Sequence, residues 1–271
     1  MATIDSQLGA IASTPAATEK TYSGLRIFNA VMGVLHLVQG IAMILLSNAF
    51  TLPFTTAYLR FDPETRTLGQ NLEQAGDLRI GPAVAVFLLL SAAAHFILAT
   101  VGYRWYVRNL ERGMNPARWY EYALSSSLMI VIIAMLCGMY DMSSLILLFS
   151  LNATMNLFGL MMEKHNRTTE KVDWTAFVFG CVAGIVPWIT IGMYLVGAAQ
   201  SVDTQIPGFV YAIIASIFVF FNIFALNMWL QYKKVGPWKN YLFGERMYIV
   251  LSLVAKSALA WQIFSGTLRP Q

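Results

Sequence analysis

The chain has 271 residues, of which 57% are apolar and 12% charged, with a formal net charge of +4. A soluble domain is about half apolar and about a quarter charged, so this sequence lacks the polar groups to coat itself for water, and its mean hydropathy is +0.59. One domain is expected, with no soluble catalytic domain attached. The same composition assigns the small positive excess to loops beside a membrane rather than to nucleic-acid binding.

Residues 1–23 have neither the basic start nor the apolar core of a signal peptide and read as a short disordered cytoplasmic tail. Residues 24–271 then form one seven-helix transmembrane domain, all-α apart from one outer loop. Apolar blocks long enough to cross lipid as helices run at 24–50, 81–103, 116–140, 143–163, 174–199, 208–232 and 247–268.

Between the first two blocks, residues 51–80 are too polar to span. Thr55, Ala57 and Leu59 alternate with Thr56, Tyr58 and Arg60, and Asp62 to Thr65 offers a turn. A short extracellular β-hairpin is expected, acting either as a lid or as a contact with a second copy through its open edges. Asn115 followed by Pro116 starts the third span as a cap with proline at the first helical position. Gly184 and Pro187 place a kink in the fifth. Cys137 and Cys181 lie in apolar blocks and read as fillers.

Lys and Arg fix the direction. With the N-terminus inside, thirteen basic residues fall in cytoplasmic segments, including Arg104, Arg108, Arg112 and Arg118 after the second span. Outside lie only Arg60, Arg66, Arg79 and Arg269. This bias expects a multi-pass protein in the cell membrane, with a cytoplasmic N-terminus and an extracellular C-terminus.

The remaining basic residue is Lys256, ten residues past Arg246 and so about 15 Å deep. A bare ammonium at that depth needs a partner or a changed chemistry. Lysine desolvates toward the amine, the form that condenses with an aldehyde; a structural Lys–Glu pair is the alternative. Glu121, about 8 Å deep on the third span, reads as the only acid well inside a span and hence as the partner.

Helical spacing adds Ser252 and Ser125, each four residues from Lys256 or Glu121, and pairs Ser91 with His95 on the second span. Asn29, His36 and Gln39 share a side of the first. The two histidines, at depths near that of Lys256, suggest a proton-holding cavity. Trp188, Phe218, Phe220, Phe221 and Trp261 are candidates for lining a flat apolar ligand. Neither sequon, at Asn152 or Asn166, should meet glycosylation machinery. Ser252 and Lys256 make S-x-x-x-K, not an acylation pair, and no zincin, P-loop or dinucleotide signature appears, so no enzyme is expected.

A lysine midway along a seventh helix resembles a rhodopsin. The segments YIVLSLVAKSALAWQ (248–262), RWYEYALSSS (118–127), GCVAGIVPW (180–188) and PGFVY (207–211) resemble heliorhodopsins closely. So does Ser252, where ordinary microbial rhodopsins carry an aspartate. The resemblance implies all-trans retinal on Lys256 as a Schiff base, Glu121 as counterion, and His36 and His95 near the cavity that takes up the released proton. It implies inverted topology, a β-sheet at a homodimer contact, and a slow light sensor with an unknown cytoplasmic signalling partner and no ion pumping. Proton conduction is the rival reading. Against it, acids are missing from the outer halves of the spans, where Asp141 stands only at a helix end. A retinal-free transporter or scaffold held by the Lys256–Glu121 pair is the third.

Overall fold

The computed structural model describes residues 15–200 and 206–269. In chain order these form α1 (Pro15–Leu46), β1 (Thr51–Asp62), β2 (Thr67–Arg79), α2 (Ile80–Ala99), α3 (Tyr103–Leu110), α4 (Pro116–Leu136), α5 (Met142–Asn166), α6 (Thr175–Gln200), α7 (Gly208–Tyr232) and α8 (Tyr241–Ile263). All but α3 are long and apolar enough to cross a membrane, which makes seven spans among the described residues. Long apolar segments become helices because lipid offers backbone groups no other partner.

Local chemistry sets the starts. Asn115 Oδ1 accepts from the Arg118 amide at 3.3 Å, with Pro116 at the first turn of α4. Asp141 Oδ2 accepts from both the amide and the hydroxyl of Ser144, each at 2.7 Å, and so caps α5. Asn240 does the same for α8, taking the Leu242 amide at 2.9 Å.

Several boundaries differ from the sequence reading, among them the following three. Helix α1 begins at Pro15, so residues 15–23, expected as disordered tail, are helical; residues 1–14 lie outside the described residues. The second span stops at Ala99 because the Gly102 amide turns back onto the Ile97 carbonyl at 2.8 Å. A separate short helix, α3, follows where a plain loop was expected. The last span starts at Tyr241 rather than 247, one and a half turns earlier.

The expected hairpin is present, and it fills the whole loop. β1 and β2 pair antiparallel from Thr51↔Arg79 to Asp62↔Thr67, with a bulge between Phe54 and Thr55. Asp62 Oδ1 accepts the amides of Glu64 and Thr65 in the turn, which holds its carboxyl below the usual aspartate range. The Thr55 amide donates to the Tyr140 carbonyl at 2.9 Å, tying the hairpin to the α4–α5 turn.

Packing divides the bundle along its length. The hairpin half is filled by a continuous apolar core including Phe87, Met129, Ile130, Ile132, Ile133, Leu259 and Ile263, each at most 1% exposed. The opposite half carries the loop arginines and lysines. There the interior holds the buried polar groups Asn29, His95, Arg118, Glu163, Glu245 and Lys256.

Candidate functional site

Helices α2, α4 and α8 bring four predicted residues into direct contact. Lys256 is 3% exposed. Its Nζ donates to Ser91 Oγ at 2.6 Å, Glu121 Oε1 at 2.8 Å and Ser252 Oγ at 3.0 Å. Ser91 Oγ in turn donates to Glu121 Oε1 at 2.7 Å. An ammonium has three donors, and here each has an oxygen in reach, the condition for keeping a charge in a low-dielectric interior. Ser125, wholly buried, sits one turn along α4 beside the Glu121 carboxylate.

The histidines stand next to this cluster. His36 and His95 stack with centroids 5.5 Å apart and planes 14° apart. His95 Nδ1 lies 2.8 Å from Asn29 Oδ1, and the Asn29 amide donates to the Leu25 carbonyl. His36 is fully buried, and neither ring nitrogen has a hydrogen-bond partner among the described residues. A small polar cavity of about 30 Å³ runs from Ser91, Glu121 and Ser252 past His95 and Asn29 to Tyr106, Arg118 and Glu245. Gln39 does not join it. Its Oε1 accepts the Trp261 indole at 3.0 Å, placing both residues elsewhere on the bundle.

A second, larger cavity of about 390 Å³ opens on the other side of Lys256, within the size range of small-molecule sites. Trp188 and Phe221 line it as expected. Phe218 packs edge-on behind Trp188 at 5.2 Å and does not line it. Trp261 is 39% exposed and stands apart, so its reading as a pocket residue is corrected, and Phe220 packs in the apolar core. The sequence reading missed Trp119, Tyr122 and Met129, which line the cavity with Ser126. Their spacing of three, four and three along α4 was the available signal.

Glycines shape the same wall. A Cβ on Gly159 would fall on the Trp119 ring, and one on Gly184 would meet Met155 Sδ. The cavity is mostly hydrocarbon-lined and has the Lys256 amine in its wall, which fits a polyene aldehyde. Gly159→Val should push the Trp119 indole into it. Overpacking costs about 1–3 kcal/mol, so retinal affinity, read by titrating the visible band, should fall about tenfold.

One constellation escaped the sequence entirely. Arg118, counted there as a loop charge, is 6% exposed and bonds Glu163 and Glu245 through its two terminal nitrogens. Glu163 also accepts from the Asn115 amide at 2.9 Å and the Trp119 indole at 2.7 Å. Glu245 accepts from the Asn115 side chain at 2.9 Å. The guanidinium lies over the Tyr248 ring at 3.8 Å. Glu121 is therefore not the only acid buried in the bundle. The other two close its basic end by joining α4, α5 and α8.

A seven-helix bundle with a carboxylate-paired lysine in the wall of a hydrocarbon-lined cavity defines the class of retinal proteins, the rhodopsins. The family model described as heliorhodopsin matches residues 25–268, nearly the whole chain, and the chain belongs to that family. It is thus a retinal-binding, light-sensing membrane protein. No curated protein matches it significantly.

Proposed function

We propose that the protein is a photosensor that signals without pumping ions, with all-trans retinal held on Lys256. The observation that carries this reading is the Lys256 amine, bonded to Glu121, Ser91 and Ser252 where the 390 Å³ cavity begins. Retinal, when bound, supplies the absorption of light and the photoisomerisation. The chain's own groups do the rest. Glu121 holds positive charge at Nζ, and the two serines orient that atom. A proton leaving Nζ has Ser91 and Glu121 within hydrogen-bond distance, and beyond them the cavity shared with His95 and Asn29. His36, stacked on His95 with both nitrogens unengaged, adds further capacity.

The path to the other side supports sensing over transport. From Lys256 toward the hairpin, a proton meets Ile130, Ile132, Ile133, Leu259 and Ile263, and the amide of Gln262 bonded to Ser216 at 3.0 Å does not relay protons as a carboxylate does. The loop charges favour a cytoplasmic N-terminus, so the polar cavities face the cytoplasm and its signalling partner. The hairpin has two open edges and exposed Leu59, Phe61, Leu68 and Leu72, which suit a homodimer contact.

Illuminating sealed vesicles that contain the retinal-loaded protein should give no sustained pH change in the medium. A steady light-driven change that a protonophore abolishes would establish a light-driven pump instead.

A further inference from the structure

Helix α3 (Tyr103–Leu110) does not cross the membrane, and none of its residues lines the large cavity beside Lys256. Three residues separate it from the end of α2. Gly102 and Gly113 flank it. A Cβ at Gly102 would crowd the Ile97 carbonyl, and Gly113 has a φ of +68°, so both turns depend on glycine.

Its two faces differ sharply. Tyr106, Asn109 and Leu110 point inward, packing with Leu25, Leu98 and Ile249. Arg104, Trp105 and Arg108 point outward and are exposed, followed by exposed Arg112. Arg26 adds its guanidinium over the Tyr103 ring at 4.8 Å while its Nε caps the Ala99 carbonyl at 2.7 Å. A short helix at the end of a span, with tryptophan and arginines outward, has the composition of a segment lying in the headgroup plane.

The inward face reaches the site. The Tyr106 hydroxyl is wholly buried without a well-formed hydrogen bond, and the residue lines the polar cavity shared by Asn29, His95 and Glu121. Burial pushes the hydroxyl above the usual tyrosine range, so it remains a proton donor. A water arriving in that cavity gives this hydroxyl an acceptor, and a protonated neighbour gives its oxygen a donor; either changes the contacts that seat α3.

We infer that the outer face of α3 docks the anionic lipid headgroups of the cytoplasmic leaflet, and that Tyr106 couples this docking to the cavity beside Lys256. The coupling rests on the photosensor reading; the docking does not. The charge of the face selects anionic headgroups, and its place directly after a span, with Trp105 at interface level, selects lipid over an acidic protein.

The test uses the full chain in nanodiscs of phosphatidylcholine, with or without phosphatidylglycerol. Without retinal, quenching of Trp105 emission (wild type minus Trp105→Phe) is compared between brominated phosphatidylglycerol and brominated phosphatidylcholine. The anionic lipid should quench more strongly at equal mole fraction. That preference should fall about tenfold in Arg104→Gln/Arg108→Gln and shrink at about 1 M salt. Equal quenching by both lipids overturns the docking and leaves the face to an acidic protein.

With retinal bound, recovery of the visible band after a flash should differ about fivefold between the two membranes. Tyr106→Phe should remove that difference while keeping the lipid preference. Recovery indifferent to lipid in a coloured protein overturns the coupling. A colourless protein that keeps the preference overturns the photosensor reading instead and leaves the docking standing.

Discussion

Lys256→Ala is expected to abolish the visible band completely, since no other amine among the described residues lines the large cavity. The substitution has a second effect. It leaves the Glu121 carboxylate, with a side chain 10% exposed, facing only the hydroxyls of Ser91 and Ser125. Stranding one partner of a buried pair costs about 3–5 kcal/mol, so the single variant should also melt earlier. Lys256→Ala/Glu121→Gln removes both charges and should recover most of that stability while staying colourless. Comparing absorption and melting across the wild type, the single and the double variant separates loss of attachment from loss of fold. A visible band that persists in either variant contradicts the role of Lys256.

Arg118→Leu is expected to be the most destabilising single substitution at the basic end. It leaves Glu163 and Glu245, 2% and 0% exposed, as two like charges with no cation between them. The loss should be about 3–5 kcal/mol, which lowers the melting temperature by about 10 °C. The remaining donors, Asn115, Trp119 and Tyr241, satisfy carboxylate oxygens without offsetting charge. Arg118→Leu/Glu163→Gln/Glu245→Gln should therefore melt well above the single variant. If Arg118→Leu melts like wild type, the three residues are not the closed ion cluster described here.

Much of this was legible in the sequence, and the reason is the solvent. Lipid makes an uninterrupted apolar block a helix, so seven spans could be counted. It also makes an intramembrane lysine conspicuous, so Lys256, Glu121, Ser91 and Ser252 could be found from depth and spacing, and these are the four that meet. The hairpin was legible from alternation and a turn. What failed depended on rotation about a helix axis or on partners far apart in sequence. Gln39 shares a side of α1 with His36 by spacing, yet it turns to Trp261. Aromatic residues on α7 and α8 look equivalent in sequence, but only some face the cavity. Arg118 sits near a span end, where arginine normally faces water. Only the fold shows that Glu163 and Glu245, 45 and 127 residues away, arrive beside it. Helix α3 was hidden because eight residues with arginines facing one way resemble a basic loop.

The most direct test of the account is to find where retinal is attached. The protein is loaded with all-trans retinal, reduced in the dark with borohydride to fix the linkage, digested, and mapped by mass spectrometry. The account predicts a retinyl group on the peptide carrying Lys256 and on no other lysine. A retinyl group on a different lysine, or none on a folded protein exposed to excess retinal, would contradict it.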